Sequence, residues 1–179
     1  MNLLFILAFA VLFPATHIAS GWLLDFATIN DHISLIYLPA FLRLFNLLVL
    51  GPFKGTIATF LGGLLLMTQF EENTYIGLLN IVCSSSGPLI ALIGFQFYFK
   101  RQVELTSLKD LATLTLMYCV CNSLIHHIVW SLAVDSFVWN HQETIWMFLG
   151  DVIGALFGAY LFKSLVDFME RKGFKFSGP

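Results

Sequence analysis

Hydrophobic residues occur in six long runs that are separated by short polar connections. The runs cover roughly residues 2–24, 33–51, 54–70, 75–99, 109–134 and 144–166. A helix needs about 20 apolar residues to cross a bilayer, and the alternation over about 10 residues that marks barrel strands is not found. The pattern therefore predicts an all-α, polytopic membrane protein. Six transmembrane helices form one bundle over residues 1–166, and a short charged tail follows over residues 167–179.

The composition agrees with this prediction and excludes a soluble domain. Of the 179 residues, 58% are hydrophobic and 11% are charged, and the mean hydropathy is +0.83. Such a chain is too apolar for a globular domain in water. The first run lacks the positively charged start of a signal peptide and continues past Pro14, so we predict a retained first span. The net charge of −2 gives no reason to expect a nucleic-acid partner.

Lysine and arginine are concentrated in the connections on one side of the predicted membrane. These positions are Lys54, Lys100, Arg101, Lys109, Lys163, Arg171, Lys172 and Lys175. The connections on the other side have no lysine or arginine and carry Asp25, Asp31, Glu71, Glu72, Asp135 and Glu143. By the positive-inside rule, both termini are predicted to be cytoplasmic.

The second run contains a charge that is costly at bilayer depth. Arg43 lies near the middle of residues 33–51, where an arginine costs at least about 2.5–3.5 kcal/mol. A guanidinium stays protonated, so Arg43 has to face protein, water or a ligand. Gly51 and Pro52 predict a tight turn into the short third run. Runs two and three are therefore either two separate spans or one re-entrant hairpin.

Four costly polar groups from three predicted helices fall at a similar depth. They are Arg43 in run two, Asn122 and His126 in run five, and Asp151 in run six. Counting about 1.5 Å per helical residue places all four in the outer half of the bilayer. Asn122 and His126 share one helical face, whereas the neighbouring His127 is rotated by about 100° and is predicted to pack or to lie at the interface.

We predict an ion pair between Arg43 and Asp151, with Asn122 and His126 completing its hydrogen bonds, because buried charges need such partners. Three roles for this network stay open at this point. It fixes the register of the helices, it forms a polar pocket for a small-molecule ligand open to the outside, or it serves a proton-linked step at His126 or Asp151.

Two further patterns concern helix packing. Gly150, Gly154 and Gly158 recur at every fourth position of run six and predict the close approach of another helix, within the chain or in a homodimer. In run four, the segment Ser86-Gly87-Pro88 predicts a kink, because Pro88 removes a backbone donor and nearby serines can satisfy freed backbone groups.

The sequence does not indicate catalysis, a cofactor or a metal site. Ser85 or Ser86 can be paired with His126, but the serines lack the Gly-x-Ser-x-Gly context of a nucleophile. The three cysteines lie inside apolar runs, which is typical of buried thiols: Cys83, Cys119 and Cys121. We therefore predict a protein that is not an enzyme, with no catalytic residue, no cofactor and no metal.

Several short segments resemble the first membrane-associated sensor (MASE) family. They are Leu38-Pro-Ala-x-x-Arg-Leu, Leu50-Gly51, Phe60-Leu-Gly-Gly-Leu-Leu, Gly87-Pro88-Leu89, Lys100-Arg101 ahead of Leu108-x-Asp110-Leu111, and Trp146-x-x-x-Gly150-Asp151-x-x-Gly154. The resemblance implies a sensory or ligand-input domain in the bacterial inner membrane. Family members usually have more spans and continue into an output domain, whereas this sequence ends at Pro179. The resemblance thus implies either action through a separate membrane or cytoplasmic protein partner, or a small, truncated stand-alone relative with a different use.

A second resemblance is to the substrate-binding S components of energy-coupling-factor vitamin transporters. The size, the six predicted spans and the cytoplasmic termini are similar, and Leu50-Gly-Pro-Phe-Lys-Gly55 is similar to a turn in such proteins. Small residues at positions matching their docking motif are Ala8, Ala10, Ala15 and Ala19. This resemblance implies the uptake of a vitamin-like molecule.

The sequence thus predicts a non-enzymatic membrane protein for sensing or ligand input that signals to a partner. One alternative is the substrate-binding subunit of an uptake transporter. Another is an accessory subunit of a larger membrane complex, which uses its Phe-rich surfaces for assembly.

Overall fold

The computed structural model describes residues 3–30, 33–67, 74–134 and 137–172. Its helices are α1 (Leu3–Leu23), α2 (Pro39–Leu50), α3 (Pro52–Met67), α4 (Thr74–Phe99), α5 (Leu108–Ala133) and α6 (His141–Arg171). Between α1 and α2, a short 3-10 turn (Asp25–Ala27) leads into an antiparallel hairpin of β1 (Thr28–Asn30) and β2 (Ile33–Ser34), in which Thr28 is opposite Ser34. Apart from this hairpin the described elements are helical, which confirms the predicted all-α class.

Four of the helices are long and apolar enough to cross a membrane, namely α1, α4, α5 and α6. The other two are shorter, with 12 residues in α2 and 16 in α3. At about 1.5 Å per residue they measure about 18 and 24 Å, less than a hydrocarbon core of about 30 Å. The structure therefore supports a multi-pass membrane protein with four long helices. The predicted number of six spans stays a prediction.

The prediction of an apolar helical run from residue 33 is wrong for its first six residues. Residues 33–38 form β2 and an irregular segment, and the helix begins at Pro39, whose fixed φ and missing N–H suit the first helical position. Neighbours satisfy the backbone before it, since the N–H of Leu35 donates to Ala27 O (2.8 Å) and that of Tyr37 to Gly150 O (3.1 Å). At its other end, Gly51 has a φ of +84° and turns the chain directly into α3.

Helix α2 lies at the centre of the bundle and touches each of the other five helices. Most of its side chains are buried, including that of Arg43. A close approach to α3 depends on Gly55, because a Cβ at that position would lie 2.5 Å from the Cα of Leu47. The stretch that carries the costly arginine is therefore the one around which the other helices are arranged.

Contacts between helices show that the chain reverses direction from one long element to the next. Asn80 contacts Trp130 and Ser84 contacts His126, which makes α4 and α5 antiparallel. We call the end of the bundle with the β1–β2 hairpin the hairpin end. The opposite end, called the basic end, carries Lys54, Lys100, Arg101, Lys109, Lys163, Arg171 and Lys172. Lys175 and the acidic residues Asp31, Glu71, Glu72 and Asp135 lie outside the described residues.

The connection between α4 and α5 at the basic end is held by an ion pair. Arg101 binds the carboxylate of Asp110 through two nitrogens, with Nη2 2.7 Å from Oδ1. This hydrogen bonding raises the pKa of Arg101 above its ordinary value. The Ser107 hydroxyl accepts the N–H of Asp110 at 3.3 Å and caps α5. The ion pair thus joins the residues that follow α4 to the first turn of α5.

Helix α6 continues beyond the predicted end of the transmembrane domain at residue 166. It runs without a break to Arg171, over 31 residues, and so measures about 46 Å, longer than the hydrocarbon core. The predicted charged tail therefore begins as part of this helix. Residues 173–179 of that tail lie outside the described residues.

Candidate functional site

A cavity of about 300 Å³ lies between the helices in the half of the bundle near the hairpin end. All six helices and the segment between α1 and α2 contribute to its lining. The lining includes Arg43, Asn122, His126 and Asp151, the four residues of the predicted polar layer. Residues that are up to 108 positions apart in the sequence, from Arg43 to Asp151, thus form one site.

The cavity reaches far into the bundle. Asn122 lies 11 residues before the end of α5 at Ala133, and Asp151 lies ten residues after the start of α6 at His141. Both are therefore about 15–17 Å from the ends of their helices. Arg43 reaches the same level because α2 begins inside the bundle. Irregular backbone at such depth is tolerated where it is buried in protein or lines a cavity, as Tyr37 does.

The guanidinium of Arg43 is held by two hydrogen bonds and two aromatic rings. Nη1 donates to Asn122 Oδ1 (3.4 Å) and Nη2 donates to the Tyr37 hydroxyl (3.1 Å). The Cζ atom lies 5.4 Å from the ring centre of Phe13 and 4.9 Å from that of Tyr37. Cation–π contacts stabilise a desolvated arginine by up to about 2 kcal/mol, so these rings replace part of the lost hydration.

Asn122 stands between the two opposite charges. Its Nδ2 donates to Asp151 Oδ2 at 2.6 Å, while its Oδ1 accepts from Arg43. The predicted direct ion pair between Arg43 and Asp151 is not among the contacts of the described residues, and this amide bridges them instead. An amide can do so because it offers both a donor and an acceptor.

The hydrogen-bonded chain continues from Arg43 to α1. The Tyr37 hydroxyl accepts from Arg43 and lies 3.2 Å from Nδ1 of His17, to which it can donate its own hydrogen. The chain from His17 to Asp151 therefore joins α1, the irregular segment, α2, α5 and α6. Each of the polar side chains along it is held by a different part of the bundle.

His126 belongs to the cavity but not to this chain. Its Nδ1 lies 2.9 Å from the backbone oxygen of Asn122, and its Nε2 lies 3.4 Å from the hydroxyl of Ser84. Since the carbonyl only accepts, Nδ1 carries the hydrogen and Nε2 is an acceptor for Ser84. The ring of His126 thus contacts Ser84 and the backbone of Asn122, and its predicted part in the Arg43 and Asp151 network stays a prediction.

The serine of α4 that contacts His126 is neither Ser85 nor Ser86, the two considered from the sequence. The hydroxyl of Ser85 donates to Ile81 O (2.8 Å) and that of Ser86 to Cys83 O (3.2 Å), both within their own helix. The serine that meets His126 is Ser84. One turn earlier on the same face, Asn80 Oδ1 accepts from Nε1 of Trp130 at 2.8 Å, and so α4 and α5 are tied together twice.

The residues predicted to kink α4 lie next to the bridging amide. The helix continues through Pro88 as one element from Thr74 to Phe99. A Cβ at Gly87 would lie 3.2 Å from Asn122 Oδ1 and 3.4 Å from its Cα. Gly87 therefore lets α5 approach α4 closely at Asn122, and the Gly-Pro element helps to position this side chain.

The glycine stripe of α6 packs against the segment that leads into α2. A Cβ at Gly150 would collide with the carbonyl oxygen of Ser34, and one at Gly154 with that of Tyr37. A Cβ at Gly158 would lie 2.5 Å from the Cβ of Phe41. The stripe is thus occupied within the chain, and it brings the neighbouring Asp151 into the interior.

Several buried polar atoms in this region have no hydrogen-bond partner within the described residues. They are Arg43 Nε, Asn46 Oδ1, the Tyr118 hydroxyl and His127 Nε2, and of these residues only Arg43 lines the cavity. Asp151, which also lines it, accepts from Asn122 at Oδ2 and has no hydrogen-bond partner at Oδ1 among the described residues. Most buried polar groups in proteins are paired, so this carboxylate points to a site that takes up a further molecule.

His127 lies outside the cavity lining, as its rotation on α5 predicts. Its ring is buried, Nδ1 bonds to Ser123 O at 2.9 Å, and the ring packs against Trp130 and Phe137. This is the arrangement of a packing histidine.

Sequence reasoning missed several polar residues of the lining, among them His17, Tyr37, Asn80 and Ser84. Asn80 and Ser84 are four residues apart in an apolar run, the same signal that singled out Asn122 and His126. Tyr37 had no such signal, because it precedes the helix and its depth follows from the start of α2 inside the bundle.

The fold and the site define a helical multi-pass membrane protein with a polar cavity inside one half of its bundle. No family model, no curated protein and no solved structure matches this chain. The function is therefore argued from the cavity itself.

Proposed function

We propose that this protein binds a small molecule in its cavity and serves as a sensory or ligand-input protein, without enzymatic activity, that acts through a partner protein. One observation carries the proposal: Arg43, Asn122 and Asp151, from three helices, form a charged and hydrogen-bonded chain along the wall of a single cavity. Ionisable residues inside a membrane are costly and mark ligand or ion sites by default.

A purely structural role explains this arrangement less well. Buried ion pairs can often be replaced by well-packed apolar residues at no cost in stability. A network that only fixed the helices would also be closely packed, whereas this one borders about 300 Å³ of space and leaves Oδ1 of Asp151 without a hydrogen-bond partner among the described residues.

The proposed topology has six spans, with both termini in the cytoplasm and the cavity facing the outside of a bacterial inner membrane. The second span combines residues 33–38, which are β2 and the irregular segment, with the 12 residues of α2. Spans that are helical over part of their length line the binding sites of many membrane transporters.

Contacts of α6 suggest how an occupied cavity would act on a partner. The irregular segment lies against Gly150 and Gly154 and also carries Tyr37, a cavity residue. A shift of this segment on ligand binding would move α6, whose other end reaches Arg171 at the basic end. The MASE resemblance supports a sensory output there.

The test is to purify the protein gently and to identify bound small molecules by mass spectrometry. We expect a small molecule in the wild type that is lost in Asp151→Asn and in Arg43→Gln. Matched controls are Asp167→Asn and Arg171→Gln, which make the same changes outside the cavity, at a half-buried and at an exposed position of α6, and should retain it. Equal retention in all four variants would contradict binding at this site.

Proteins that co-purify in stoichiometric amounts distinguish the functional classes. A kinase or a cyclase supports sensing. A transport coupling subunit would instead support the uptake alternative, and a large membrane complex would support the accessory role.

A further inference from the structure

We infer that the ligand of this cavity is a small zwitterion with an apolar side group, of the apolar amino acid class. The inference rests on the proposed function, since it names the chemistry of the molecule bound at that same site. It is carried by the distribution of donors, acceptors and charges along the cavity wall.

One side of the site offers hydrogen-bond donors. Arg43 is 5% exposed and lines the cavity. Nη1 and Nη2 each carry two hydrogens and donate one, to Asn122 and to Tyr37, so each keeps a second hydrogen for a ligand. The rings of Phe13 and Tyr37 lie over the guanidinium, which leaves its edge for a ligand. Carboxylates bind guanidinium groups in this plane, at the edge.

The other side offers acceptors. Asp151 is 2% exposed, lines the cavity, and accepts one hydrogen bond at Oδ2 from Asn122. A carboxylate can accept about four hydrogen bonds, so Asp151 can take an ammonium group as well. The amide of Asn122 keeps the two charges close to each other without letting them neutralise each other by direct contact.

A ligand with a single charge would pair with either Arg43 or Asp151 and would leave the other of these two residues without a charged partner in the ligand. An anion on Arg43 would lie near the carboxylate of Asp151 and be repelled by it, and a cation on Asp151 would be repelled by Arg43. Buried charges without a partner are strongly unfavourable. A zwitterion pairs its carboxylate with Arg43 and its ammonium group with Asp151, and it adds no net charge to the interior.

The rest of the cavity suits an apolar side group. Apolar side chains in its lining include Ile81, Leu66, Trp130 and Met147. A volume of about 300 Å³ lies at the lower end of the range of about 300–1,000 Å³ for small-molecule sites. A molecule of the size of phenylalanine or leucine is therefore favoured over a larger cofactor.

The experiment compares three probes that share one skeleton: L-phenylalanine, 2-phenylethylamine and 3-phenylpropionate. The purified full-length protein is heated in detergent with each probe, and Tm is measured against concentration. We expect a saturable rise in Tm of several degrees with L-phenylalanine, and little change with the amine or the acid, because ligands that bind the folded state raise Tm. The leucine series, with 3-methylbutylamine and 4-methylpentanoate, covers a smaller side group.

Variants show whether each charge recognises its own half of the zwitterion. Asp151→Asn should shift the preference towards the acid, and Arg43→Gln towards the amine. Asp167→Asn and Arg171→Gln should keep the wild-type order. If a cavity variant does not fold, the comparison of the three probes on the wild type still decides the question.

The inference is overturned if an amine or an acid stabilises the wild type as much as its matched amino acid, or if no amino acid of either series shifts Tm. Neither result touches the proposed function, which stands or falls with the co-purified molecule and its loss in the cavity variants.

Discussion

The two halves of this bundle are built from the same helices but in opposite ways. Towards the basic end, α2, α4 and α5 form an apolar cluster of buried residues: Leu44, Leu47, Ala91, Leu92, Phe95, Leu114, Tyr118 and Cys119, joined by Ala40 from the start of α2. Near the hairpin end, the same three helices contribute Arg43, Ser84, Asn122 and His126 to a cavity. There the backbone is partly irregular, and a helix begins inside the bundle.

The change between the two kinds of packing takes about one helical turn. On α5, Tyr118 and Cys119 belong to the apolar cluster and Asn122 to the cavity. On α2, Arg43 is followed directly by Leu44 of the cluster. A binding site needs side chains that are held in place by a rigid scaffold. The packed half thus holds the helices, which allows the other half to keep open space beside charged side chains.

The largest effect is expected in the packed half, from Phe95→Ala. Phe95 is 1% exposed, and a buried Phe→Ala change costs about 3–5 kcal/mol through lost contacts and the cavity that remains. Phe97→Ala on the same helix is the control, because Phe97 is 73% exposed. Unfolding by denaturant in detergent measures both. Equal destabilisation of the two variants would contradict a packed scaffold at the basic end.

The next effect is expected in the cavity half, from Asp151→Asn. Asn122 separates Asp151 from Arg43, so we expect a loss of about 1.5–3 kcal/mol, as for a hydrogen bond to a charged group. A direct buried ion pair would cost about 3–5 kcal/mol when broken. The free energy of unfolding thus distinguishes the bridge from a direct pair. Combining the change with Arg43→Gln should recover part of the loss.

Gly154→Ala tests the contact that joins the irregular segment to α6. The added methyl would collide with the backbone carbonyl of Tyr37, which has no rotamer to change, so we expect a loss of about 1–3 kcal/mol. Hydrogen exchange should increase mainly in residues 33–38. Gly94→Ala serves as the control, because its methyl would meet only the end of the flexible Met117 side chain. Similar losses in both variants would mean that Gly154 has no special role.

The smallest effect is expected from Arg101→Gln at the surface of the basic end. Arg101 is half exposed, so its charge is screened by salt, and the buried Asp110 keeps the N–H of Glu104 as a donor when Arg101 is replaced. The loss in Tm should be smaller than for Gly154→Ala and should shrink at high salt. A loss that is large and independent of salt would show that the α4–α5 connection is part of the scaffold.

Much of the site was predictable because polar residues inside apolar runs are rare. Depth counted along helices was enough to bring Arg43, Asn122, His126 and Asp151 into one layer, and all four line the cavity. The partners within that layer were not predictable in the same way. A hydrogen bond depends on distances of about 3 Å, whereas a change in the rotation or tilt of an apolar helix moves its side chains by more than that.

The sequence by itself determined the membrane class, the helical elements and the layer of costly polar residues, because each follows from the transfer of side chains between water and hydrocarbon. The tertiary structure alone decided that residues 33–38 are not helical, that Asn122 stands between Arg43 and Asp151, and that the glycines of α6 pack on the irregular segment. The reason is that hydropathy measures whether a residue leaves water. It does not measure which neighbour replaces the water, and inside a bundle that neighbour can be a backbone carbonyl, an amide or a ligand.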